Sequence, residues 1–235
     1  MPRLPPRPDL DQLRRLAKDR LRAARRGDPG ATLHVAQLEL AREHGFTSWA
    51  AMQLEVSRRR VLDLRSPAEL AAFVERHPEA ATADLTNWRD HPLGASPLAY
   101  VAMARYDTAT GTWRDVEGTA ATAHVLIAAG ALVDGAPGDR ETPLITAASY
   151  GDAAVASVLV AAGADIDAVA ADDAGGVPGG SAVLHAAVFG MTDVLDVLVA
   201  AGARLRSLEE AAAAGVLDGW SITDADEQTR LRAMV

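Results

Sequence analysis

The sequence predicts an all-α protein, a solenoid of stacked helix pairs behind a small module of three helices. Three observations carry this. TPLITAASYGDAAVASVLVAAGADID from Thr142 and SAVLHAAVFGMTDVLDVLVAAGARLR from Ser181 match in register, each with 21 residues from its hydroxyl residue to a closing glycine, Gly163 or Gly202. Gly130, Gly163 and Gly202 are spaced by 33 and 39 residues, a period that marks stacked supersecondary units. Within each copy, Val155, Val158 and Leu159, or Val194, Val197 and Leu198, recur at the helical period.

The elements follow in chain order. Residues 9–26 (DLDQLRRLAKDRLRAARR) read as a helix with Leu10, Leu13, Leu16 and Leu21 on one side and arginine on the other. A second helix is predicted over residues 32–44, ending at Gly45 with His44 in its last turn. A third runs from Trp49 to about Val61, started by Thr47 or Ser48, and Phe46 with Trp49 reads as a hinge pinning the second helix to the third. Ser66-Pro67-Ala68-Glu69 is a capping box with proline at the first helical position. It launches AELAAFVERHP, read as the second helix of a degenerate leading repeat. The boundary is placed near Leu62–Arg65, dividing a helical module (1–64) from a solenoid (65–235). The solenoid is divided into a degenerate repeat at about 65–92, repeats at 93–135, 136–168 and 178–206, and a partial or capping repeat at 207–235.

Each repeat has a mechanical logic. A hydroxyl residue caps the first helix and Pro143 occupies its first position, where no N–H is needed. Ala147-Ala148 and Ala186-Ala187 give small faces for close packing, and Gly151 and Gly190 suit the left-handed residue that ends a helix. One unit cannot bury its apolar face alone, so neighbours must stack. Two copies depart from the frame. A degraded copy from Ser96 carries 13 extra residues around Tyr106–Gly118, including Trp113, predicted to form a loop between its two helices. Six extra residues lie in AVAADDAGGVPGG (Ala168–Gly180), predicted to be a flexible extension of the connecting finger. A last copy starts near Leu208, and Thr223–Val235 reads as one more helix that either caps the stack or leaves an apolar edge open to self-association.

With the Thr-Pro-Leu opening and a period near 33 residues, the chain resembles the ankyrin-repeat family over roughly residues 66–220. LAREHGFTSWAAMQLEV (Leu40–Val56) resembles a short helical motif found ahead of ankyrin repeats in bacterial proteins. Val183 stands at the family's Leu position, and His185 stands where an apolar residue is usual. The resemblance implies partner contacts through the finger tips and the concave face of the first helices. By register these are Asp139, Arg140 and Glu141 on the finger, with Ser149, Tyr150, Val188 and Phe189, and Met103 in the first copy.

Composition narrows the function. There is no cysteine, which removes disulfides, thiolate catalysis and cysteine-ligated zinc. No apolar leader or long apolar span is visible, so a cytoplasmic protein without a membrane partner is expected. Near-exclusive use of arginine over lysine suggests a bacterial source. Residues 1–65 hold 14 Arg/Lys against 8 Asp/Glu, a net of +6, whereas residues 66–235 hold 9 against 24, a net of −15. The acidic solenoid therefore suits a basic protein partner. The six histidines (34, 44, 77, 91, 124, 185) lack metal-ligand spacing, and no phosphate loop or nucleophile elbow appears. Asp165, Asp167, Asp172 and Asp173 read as turn-forming or solvating residues, and His185 as a hydrogen-bonded packing residue. No catalytic, metal or cofactor site is assigned. The expected function is non-catalytic protein binding. The alternative is nucleic-acid binding by the Arg-rich helices, through Arg14, Arg15, Arg22, Arg25, Arg26 and Arg58-Arg59-Arg60.

Overall fold

The structure is a computed structural model and describes residues 4–5, 8–64, 66–85, 95–107 and 110–219. The helix expected after Thr223, and His91, lie outside them. Among the described residues there are eleven α-helices and a single two-stranded hairpin. None of these helices is long and apolar enough to cross a membrane.

Three helices come first: α1 (Leu10–Ala24), α2 (Leu33–Glu43) and α3 (Trp49–Leu64). Asp9, Thr32 and Ser48 accept hydrogen bonds from backbone N–H groups three residues on, closing the helix starts. Leu13, Ala17, Leu40, Ala41, Met52 and Val56 form their shared core, against which Phe46 and Trp49 pack. The stripe on α1 runs through Leu10, Leu13, Ala17 and Leu21, and the sequence expectation errs at Leu16, which is 42% exposed. Leu16 lies off the 3.6-residue stripe that meets α2 and α3.

The stack then builds in two rows. One row is α4 (Pro67–Arg76), α6 (Thr119–Ala128), α8 (Ala153–Ala161) and α10 (Thr192–Ala200), each packed on the next. The other is α5 (Pro97–Ala102), α7 (Pro143–Tyr150), α9 (Ala182–Val188) and α11 (Leu208–Ala213). Ser66, Ser96, Thr142, Ser181 and Ser207 each accept a backbone N–H at their helix start. Prolines 67, 97 and 143 sit at first helical positions. Gly151 ends α7 at φ 67, a left-handed conformation that a side chain would strain. Leu126, Leu144, Ile145, Leu159 and Leu198 are fully buried between the rows, each worth about 1.5–3 kcal/mol of burial.

Helix α3 serves both cores. Its first half contributes Met52 and Val56 to the amino-terminal cluster, and Leu62 joins the cluster of the stack. Its charged residues close the joint. Glu55 accepts from Arg58 at 2.5 and 3.0 Å and from Arg59 at 2.8 Å. Arg58 also donates to the carbonyls of Ala83 and Asp84, and the Tyr100 hydroxyl donates to Asp63.

The described residues of both insertions are structured. The first is a hairpin of β1 (Tyr106–Asp107) and β2 (Thr112–Trp113), with Tyr106 opposite Trp113, where the sequence suggests a loop. Its Tyr and Trp suit cross-strand pairing, a signal that the 13-residue length obscured. The second insertion packs back on the stack instead of projecting as a flexible finger. Ala170 and Ala174 are buried, Ala170 N–H reaches Gly180 O at 2.9 Å, and Ala171 N–H reaches Arg140 O at 2.8 Å.

Candidate functional site

Along the α5–α7–α9 row runs a groove of about 460 Å³. Ser96 and Ala99 of the first unit and Thr146, Ser149 and Tyr150 of α7 form its floor. The finger Gly138–Glu141 forms one side, the hairpin adds Tyr106 and Trp113, and the second insertion adds Gly175 and Gly176. Asp84, Ala95 and Phe189 complete the lining among the described residues.

The aromatic wall is a packed triad. Ring centroids are 5.0 Å apart for Tyr106–Trp113, 6.0 Å for Tyr106–Tyr150 and 6.2 Å for Trp113–Tyr150, all tilted, a geometry that aromatic quadrupoles favour. Tyr150 is thus half-covered by the hairpin, whereas Trp113 stays 52% exposed and Phe189 43% exposed. Arg105 anchors the hairpin base by donating to the Gly151 carbonyl and to Asp115.

The opposite side is acidic. Asp139 holds the finger turn through Oδ2, which accepts from Ala136 N–H at 2.7 Å. Arg140 pairs with Asp173 of the second insertion at 2.9 Å. Burial pushes the Asp84 carboxyl above its ordinary value, the Asp139 carboxylate adds to the rise, and Arg58 opposes it.

His185 fixes the loop that lines the far end. It is fully buried; Nε2 accepts from Val177 N–H at 3.0 Å, which leaves Nδ1 as donor to Ser181 O at 2.9 Å. A Cβ at Gly176 would come within 3.0 Å of that Nε2 and 3.2 Å of Glu141 Oε1, so only glycine lets the loop lie this close. His185 is therefore a packing residue with both ring nitrogens committed.

Of the residues the sequence places at the partner face, Asp139, Arg140, Glu141, Ser149, Tyr150 and Phe189 line the groove together. Val188 is 58% exposed but outside that lining. Met103 is a correction: it is 1% exposed in the core of the stack, because α5 ends at Ala102 and the chain turns inward before the hairpin. Sequence reasoning missed Asp84, Tyr106, Trp113 and Thr146, which reach the groove only through the hairpin and the stacking of units.

The carboxylates elsewhere are architectural. Asp165 N–H donates to Asp134 Oδ1, Arg204 N–H donates to Asp167 Oδ1 (both 2.9 Å), and Asp167 N–H donates to Asp165 Oδ1 at 3.1 Å, stitching one finger to the next. The phosphate-binding reading of the arginines is corrected at Arg58 and Arg59, while Arg15, Arg25, Arg26 and Arg60 are exposed. Arg58 and Arg59 are 6% and 1% exposed and held by Glu55, while Arg14 and Arg22 pair with Asp11 and Asp19 at 2.8 Å. Among the described residues, no group of three or more potential ligands could hold a metal ion.

No curated protein matches the chain. A family model described as Ankyrin repeat matches residues 139–171, the unit that holds α7 and α8. Ankyrin repeats are generally protein–protein interaction modules, and this match together with the two rows of stacked helices makes the architecture an all-α fold of the ankyrin type.

Proposed function

We propose that the chain is a non-catalytic protein-binding module that takes its partner in the groove between the finger Gly138–Glu141 and the aromatic hairpin. In this division of labour, residues 1–64 form a helical module that supports a repeat stack from residue 65 onward. The observation that carries the reading is the convergence of four aromatic side chains, the exposed Trp113 and Phe189 and the half-buried Tyr106 and Tyr150, on one groove. Such anchors dominate the energy of protein interfaces. The acidic finger and the net charge of the stack favour a basic partner, as does electrostatic steering.

The test is affinity capture with the full chain and with a Tyr150→Ala/Phe189→Ala variant whose melting is followed in parallel. A partner held by the wild type should lose more than about 2 kcal/mol of binding to the folded variant. Unchanged capture by a folded variant contradicts the groove as the binding surface.

A further inference from the structure

The two walls of the groove differ in chemistry, and together they specify more than a protein partner. We propose that the groove selects a cationic side chain, arginine above lysine, on an extended segment of the partner, seated between the exposed ring of Trp113 with its neighbours Tyr106 and Tyr150 and the carboxylates of Asp84, Asp139 and Glu141. The proposal rests on the groove being the protein-binding surface and names what that surface reads.

Charge complementarity supplies the argument. Four ionisable groups of the finger and its approach line the groove: Asp84, Asp139, Arg140 and Glu141. The single cation among them is already paired, since Arg140 meets Asp173 at 2.9 Å. Three carboxylates are left facing a space whose other wall is aromatic. Burial raises the Asp84 carboxyl and the Asp139 charge adds to that rise, and an incoming cation relieves both. A neutral apolar side chain would stack on the rings but would strip water from the carboxylates without replacing it. An acidic side chain would add like charge. A guanidinium satisfies both walls, because it stacks on an aromatic face and donates to carboxylates through the edge of the same plane.

The hairpin makes this selectivity a property of the insertion, not of the repeat. Without β1 and β2 the groove would face the acidic finger with Tyr150 and Phe189 as its rings. The pairing of Tyr106 with Trp113 brings two more rings to the side opposite the carboxylates.

The experiment selects a random twelve-residue peptide display library against the full chain, then measures recovered peptides by fluorescence anisotropy. Each is synthesised with its basic residue intact and with that residue replaced by lysine, citrulline or leucine. The expected result is enrichment of arginine at one position. Citrulline should weaken binding about tenfold or more and lysine less, since the stacked and paired cation is lost in the first case and only rearranged in the second. Trp113→Ala and the Asp139→Asn/Glu141→Gln pair, each verified as folded by thermal melting, should each lose most of the arginine–citrulline difference. Recovery of no peptide, recovery without basic enrichment, or indifference to both variants overturns the assignment. If protein capture still falls in Tyr150→Ala/Phe189→Ala, the binding surface stands and only its cation selectivity is lost. If capture also persists there, the surface itself is wrong.

Discussion

The joint at Glu55 and the groove at Asp84 are two charged regions of one molecule with opposite construction, and they meet on the same residue. At the joint, Arg58 donates to the Asp84 carbonyl at 2.7 Å, and Glu55, Arg58 and Arg59 are all under a tenth exposed. In the groove, the carboxylate side chain of that same Asp84 faces open space beside Asp139 and Glu141. Burial pulls the Arg59 guanidinium below its ordinary value, and the Glu55 carboxylate opposes the fall. Buried charges here are paired with one another and with backbone carbonyls, which makes them architecture. Open charges of one sign, set against rings, are what the proposed partner would satisfy.

The sharpest way to break the comparison is at the joint. Glu55→Ala takes the carboxylate away from two buried guanidiniums and should cost about 3–5 kcal/mol, measured by urea unfolding. Replacing Glu55, Arg58 and Arg59 together by leucine or methionine should recover most of that loss, because an apolar joint needs no counter-charge. A loss below about 1 kcal/mol for Glu55→Ala would mean the joint is as tolerant as the groove.

Asp152 sits between the two extremes, a buried carboxylate that caps α8 by accepting from Val155 N–H at 3.0 Å. Burial holds its carboxyl above the ordinary value, against the pull of that N–H. Between the unfolded and folded values, the native protein keeps a proton that the unfolded chain has released. Stability therefore falls as pH rises through that window and returns on acidification. Asp152→Ala should cost about 1 kcal/mol through the lost cap. Asp152→Asn should keep the cap and flatten the acidic slope, read from melting temperatures across a pH series.

The smallest effect belongs to the groove. Asp139→Asn with Glu141→Gln should change stability by less than about 0.5 kcal/mol, since asparagine keeps an acceptor for the Ala136 N–H and neither carboxylate supports the core. Denaturation midpoints equal to wild type would show that stability does not need these charges; a large loss would make them architectural like Glu55.

Much of the frame was readable from residue order alone. Thr142-Pro143 fixes a helix start because a hydroxyl cap and a missing N–H act within one turn. Gly151 fixes its end because the left-handed backbone there excludes a side chain. Asp139, Arg140, Glu141, Ser149, Tyr150 and Phe189 could be placed on one face by register, since each unit repeats the same turn. Met103 could not, because its fate depended on how the first unit leaves α5 for a hairpin.

The linear order of this chain determined its helices, their caps, the stacking period and the acid–base split between its ends, because those are set by contacts within a few residues or by simple addition of charge. Only the tertiary structure decided that Arg58 and Arg59 lie inside, that Tyr106 and Trp113 cross to Tyr150, and that the Gly-rich insertion folds onto His185. Those outcomes depend on which surfaces are close in space after stacking, and spacing along the chain carries no record of such distances.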